Sequence, residues 1–172
     1  MTVNQLVGLP LAAMVVALLV VALLITTGCA RRAAPADDYQ TYTNARFGYS
    51  VCYPANRFEA QPEAENGDGR KFIARNDGAL LLVYGMNNAL AQSLQELYDK
   101  ELETYRQPTA EAAYKELSTS WFVVSGTKGD RVIYRKTILK DSQFKTFQIE
   151  YGKSQKAIYD PIVAKIAGCF QG

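Results

Sequence analysis

Histidine is absent from all 172 residues. Its absence excludes a Ser–His–Asp or Cys–His nucleophile, the histidine-containing zinc sites, and any pH switch built on imidazole. Net charge is scarce as well. The 19 Lys and Arg are opposed by 17 Asp and Glu, a formal +2, so composition lends no support to nucleic-acid binding, which calls for a strongly basic face. Cysteine is limited to 3 residues, too few for a disulfide framework. No internal repeat or low-complexity tract is found, and a hydrophobic content of 48% argues against a disordered chain. The ~140 residues that follow the first ~30 can bury a core without metal or dense cross-linking.

Long hydrophobic runs are confined to one place. Leu6 to Gly28 carries no charge and is dominated by Leu, Val and Ala. As a helix it would reach ~34 Å, enough to cross a ~30 Å hydrocarbon core. The run ends in Ile25-Thr26-Thr27-Gly28-Cys29, and small residues directly before a cysteine resemble the lipobox of bacterial lipoproteins. The resemblance implies a signal peptide over residues 1–28, cleavage before Cys29, a diacylglyceryl group on its sulfur and an acyl chain (palmitate) on its new amino group. Two chains on one residue anchor stably in a lipid bilayer. Thr26 stands where the family has Leu, and Met1 to Gln5 lacks the usual positive charge. An uncleaved spanning helix is the alternative. Arg31 and Arg32 flank the run on its C-terminal side, and by the positive-inside rule they would then hold the domain in the cytoplasm. Ala30 follows the cysteine where Asp marks inner-membrane retention in many enteric-type lipoproteins, so the resemblance favours a periplasm-facing outer-membrane anchor.

Residues 29–38 read as a lipidated tether, small, charged and proline-containing. A single globular domain is expected over 39–172. Phe47, Tyr49, Val51 and Tyr53 alternate with Gly48, Ser50 and Cys52 in a strand stopped by Pro54. Lys71–Arg75 and Ala79–Gly85 flank Asn76-Asp77-Gly78 as a hairpin, and the continuous Leu80–Val83 predicts a central strand covered on both faces. Leu90, Leu94, Leu97, Tyr98, Leu102 and Tyr105 share a helical face, with Ser93 and Glu96 as a capping box and Pro108 as the stop. Strands follow at Trp121–Ser125, Val132–Leu139 and Phe144–Tyr151, and a further one around Tyr114–Ser118, with Gly126–Asp130 and Lys140–Ser142 as turns. A closing helix spans Ser154–Phe170, with Asp160 and Pro161 as cap and first residue of its main part and Ile158, Ile162, Ile166 and Phe170 on its apolar face. The fold class is α+β: an antiparallel sheet of about six strands with two main helices packed on it.

Phe47-Gly-Tyr-Ser-Val-Cys-Tyr-Pro54, the central hairpin, the mid-chain helix and the closing helix together resemble the Mog1/PsbP-type sandwich over residues 45–170. The resemblance implies a binding or assembly factor and carries no functional residue with it.

The candidate chemistries are few. Asn66-Gly-Asp-Gly69 reads as a turn, because Arg75 stands where a calcium loop in EF-hand register needs a carboxylate. Ser125-Gly-Thr-Lys128 and Ser142-Gln-Phe-Lys145, both in those expected turns, match S-x-x-K without the motifs that complete such a site. Glu101 and Glu103 read as solvated neighbours on a helix. No catalytic set, metal site or cofactor is called for, and the protein is read as a non-enzyme. Tyr39, Tyr42 and Tyr49 are the candidates for an exposed aromatic patch facing an envelope protein partner. Cys52 and Cys169, an even pair once Cys29 is lipidated, are expected to form a disulfide, the alternative being two separate buried thiols. The function expected is that of a membrane-anchored envelope protein with a binding or assembly domain. A small-ligand or lipid-binding domain is the alternative.

Overall fold

The computed structural model describes residues 37–172. The apolar run, Cys29 and the tether as far as Ala36 lie outside the described residues.

Alternation along the first segment produces a hairpin. Strand β1 (Tyr39–Asn44) pairs antiparallel with β2 (Tyr49–Pro54), and Gly48 adopts φ +60° in the turn between them. Asn44, only 2% exposed, secures that turn: its Oδ1 accepts from the Phe47 amide at 2.9 Å.

The remaining strands form one antiparallel sheet: β3 (Phe58–Glu63), β4 (Gly69–Ala74), β5 (Leu80–Asn87), β6 (Ala110–Leu117), β7 (Trp121–Lys128), β8 (Arg131–Lys140) and β9 (Gln143–Gly152). Their spatial order is β3-β4-β5-β9-β8-β7-β6. Both edges are blunted, β3 by Pro62 and both β3 and β6 by irregular register. Helix α1 (Leu94–Glu103) lies between β5 and β6 in sequence, and α2 (Lys156–Cys169) follows β9 through a short 3-10 turn.

Three layers result. On one face the β1–β2 hairpin and α2 cover the main core, in which Tyr49, Phe72, Leu81, Phe147, Ile149 and Ile166 are at most 1% exposed. On the other face α1 packs against β7 and β6 over a smaller cluster of Leu94, Tyr105, Phe122, Val124 and Phe144.

Several expectations are corrected. The main sheet has seven strands, with two more in the separate hairpin. Strands β1 and β3 have no counterpart in the sequence reading: β3, with the sequence FEAQPE, buries only Phe58 and shows no apolar alternation. Leu90 precedes α1 and is 81% exposed, while the capping box at Ser93 and Glu96 is formed. Helix α2 runs straight through Pro161. Asp160 does not cap it but accepts from the Tyr151 hydroxyl at 2.6 Å and pairs with Lys156. The buried face of α2 is Tyr159, Ile162, Val163 and Ile166, leaving Ile158 44% exposed one step around the helix. Ser125 and Lys128 lie inside β7, not in a turn.

Candidate functional site

Tyr42 is 8% exposed and Tyr49 1%. Their rings meet edge to face, 6.2 Å apart, and Tyr42 contacts Phe72 across the layer. The aromatic patch expected on Tyr39, Tyr42 and Tyr49 is therefore not a surface. The period that places Tyr42 and Tyr49 on one face of the hairpin is the period that turns them into the core. Tyr39 alone stays half-buried, with the Lys165 ammonium 5.9 Å above its ring.

Cys52 and Cys169 stand at disulfide distance with Cα atoms 5.9 Å apart. Cys52 leaves β2 toward the last turn of α2, and just beyond it Ser50 and Gln171 exchange backbone hydrogen bonds of 2.9 and 3.0 Å. This region is a structural clasp.

The surface with room for a partner lies on the α1 face, where the helix covers only half of the sheet. Along β5, alternation buries Leu81 and Val83 in the main core and sends Leu80, Leu82 and Tyr84 to the opposite side, where they are half-buried. Met86 at 45% and Ile73 of β4 at 43% extend the same strip. Leu80–Val83 is thus central but covered on one face only, and this corrects the expectation of cover on both. A hollow of about 430 Å³ over β4 and β5 is lined by Gln61, Lys71, Leu82 and Tyr84. A cleft of about 280 Å³ under α1 is lined by Tyr84, Met86, Leu97, Lys100, Glu101 and Arg135. Tyr84 lines both and joins them into one surface.

The cleft has a polar floor. Glu101, which the sequence reading left solvated, is 7% exposed and holds Arg135 at 2.5 Å. Helical spacing turns Glu101 inward, and Arg135 on β8 meets it from below. Arg135 Nε donates to Gln148 of β9 at 3.1 Å, and Thr137 and Thr146, cross-strand partners, share a 2.9 Å hydroxyl contact. A buried carboxylate is tolerable only when paired in this way. Behind the cleft, burial and then the Glu101 charge push the Tyr105 phenol up to about 12. Among the described residues no group of three or more His, Cys, Asp or Glu could hold a metal ion, and no helix is long and apolar enough to cross a membrane.

The sequence matches no protein-family profile and no curated protein. The fold does have a known counterpart. The solution structure of cyanobacterial PsbP (CyanoP) from Synechocystis sp. PCC 6803 superposes with a TM-score of 0.54 over 81% of this chain and 95% of that one, at 12% identity. The domain has the PsbP-type fold. At that identity the likeness gives the order and layering of the PsbP-like domain and assigns no residue a role. The open strip and its cleft rest on this chain's own side chains.

Sequence reasoning missed Leu82, Tyr84, Arg135 and Glu101 as neighbours. The one signal available was that Leu80–Val83 is apolar at every position, so β5 carries apolar side chains on both faces.

Proposed function

We propose that this chain is a lipid-anchored envelope protein whose PsbP-like domain is a non-enzymatic binding and assembly module for a protein partner. The observation that carries the reading is the half of the α1 face that no element of the described residues covers: Ile73, Leu80, Leu82, Tyr84 and Met86 present apolar surface beside a cleft. An apolar strip with a polar surround is the ordinary form of a protein interaction surface. The anchor rests on Cys29 and the small residues before it.

Two measurements test the proposal. The intact mass of protein extracted from native membranes should correspond to a chain beginning at Cys29 with a diacylglyceryl group. Retention of Met1 without lipid would favour the uncleaved helix and a cytoplasmic domain. A photo-crosslinking residue at Leu82 should give a heterologous adduct, and one at Ala164 on the exposed side of α2 should not. Equal adducts at both positions would remove the open strip as the site. The cleft is what favours the second reading, a small-ligand domain. Native mass spectrometry separates the two, because a retained ligand adds a fixed mass.

A further inference from the structure

The charges around the open strip are unequally compensated. Three glutamates on that side are paired with arginines: Glu59 with Arg75, Glu150 with Arg131 and Glu101 with Arg135. Asp68, in the turn at the rim, accepts from the Asn66 side-chain amide at 2.7 Å. Lys71 lies directly across from Leu82 on the strip, and Lys100 projects from α1 into the cleft lining. Neither lysine has a carboxylate within salt-bridge distance among the described residues. The other acids of α1 lie outside the cleft lining: Glu96 is bonded to Ser93, Asp99 accepts from Gln95, and Glu103 is exposed on the last turn.

The shape of the vacancy is also defined. The apolar side chains run along β5 with Ile73 beside them on β4, so a helix of ~10 Å diameter laid along β5 would have Lys71 of β4 on one flank and Lys100 of α1 on the other. The strip from Leu80 to Met86 is ~20 Å long at ~3.3 Å per residue, the length of about four helical turns. A helix laid there would complete the layer that α1 begins.

We infer that the open strip receives an amphipathic helix of the partner protein, apolar on the face toward Leu82 and Tyr84 and carrying carboxylates on both flanks to meet Lys71 and Lys100. This rests on the reading of the strip as a partner site and adds the chemistry of the occupant. Charge complementarity argues for it: two unpaired ammonium groups bracket an apolar surface. It also argues against this chain's own tether. Residues 30–36, ARRAAPA, bring two arginines and no large apolar side chain.

The test uses the full chain in its native membrane, with the photo-crosslinking residue at Leu82 alone and combined with Lys71→Glu and Lys100→Glu. Both lysines are exposed, so the fold of the triple variant should survive and can be verified by its melting curve. The expected result is a heterologous adduct whose cross-linked peptide repeats apolar residues at helical spacing between Asp or Glu. Its yield should fall about tenfold in the charge-reversed protein, in keeping with the loss of two steering contacts. An undiminished adduct in that variant overturns the acidic helix while leaving a partner site in place. An adduct of twice the chain mass identifies a second copy and overturns the inference too. Absence of any adduct at Leu82 removes both this inference and the reading it rests on.

Discussion

Two glycines set how closely aromatic rings approach the sheet. The Phe47 ring lies on Gly85, where an added Cβ would stand 2.2 Å from Phe47 Cγ. At Gly126 a Cβ would stand 2.7 Å from Tyr105 Cε1 and 2.0 Å from the Glu111 carbonyl oxygen. Gly85→Ala should therefore lower stability by about 2–3 kcal/mol, read from urea unfolding, because the methyl strikes the rigid base of the ring rather than a flexible tip. Tyr105 gives the opposite sign. Its hydroxyl is buried with no hydrogen-bond partner among the described residues, while the Lys128 ammonium sits 4.4 Å above its ring. Tyr105→Phe keeps the ring contact and removes the unsatisfied group, so Tm should rise, by roughly 4 °C for about 1 kcal/mol. Neither effect was legible in the sequence, where Gly126 reads as a turn residue and Tyr105 as one more apolar position of a helix. Both depend on which strand passes beneath the ring.

At the scale of elements, the capping box, the β4–β5 hairpin and the alternating strands follow from residue order alone, because each is decided within a window of ten residues. The open half-face did not follow. An apolar run such as Leu80–Val83 looks the same whether its second face is covered by its own chain or left free, and burial depends on an α1 that is only ten residues long and sits over β6 and β7. The inward turn of Glu101 was hidden for a related reason: its partner is supplied by β8, far along the chain. The clasp between β2 and α2 carries its own test. Cys52 and Cys169 are separated by 117 positions, for which loop-closure entropy allows up to about 4–5 kcal/mol. Replacing both with alanine should lower Tm and should leave non-reduced and reduced samples identical in melting. A wild-type melting curve that does not respond to reductant would mean that the thiols are not joined.

For the molecule as a whole, the missing histidine and the buried tyrosines together define the pH response. No imidazole titrates between pH 5 and 9. Burial pushes Tyr105 and Tyr134 up to about 12 and raises Tyr49, Tyr151 and Tyr159 as well, the last two with help from the carboxylates of Asp160 and Asp77. A phenol whose folded pKa exceeds its unfolded value contributes stability that is intact below about pH 10 and is lost as pH rises through the folded value. Thermal stability should decline from pH 10 through 12, and Tyr105→Phe should flatten part of that decline. The sheet's connectivity has a different consequence. Strands β3-β4-β5 and β6-β7-β8-β9 are two meanders whose ladders meet where β5 pairs with β9, and within the link between α1 and β6 the stretch Arg106 to Thr109 is exposed throughout. With Cys52 and Cys169 joined, one nick after Arg106 would leave the halves zipped along that ladder and tied by that bond, each half supplying one of its cysteines. Such a protein runs as a single band without reductant and as two with it, and so behaves as a two-chain molecule cut from one gene product.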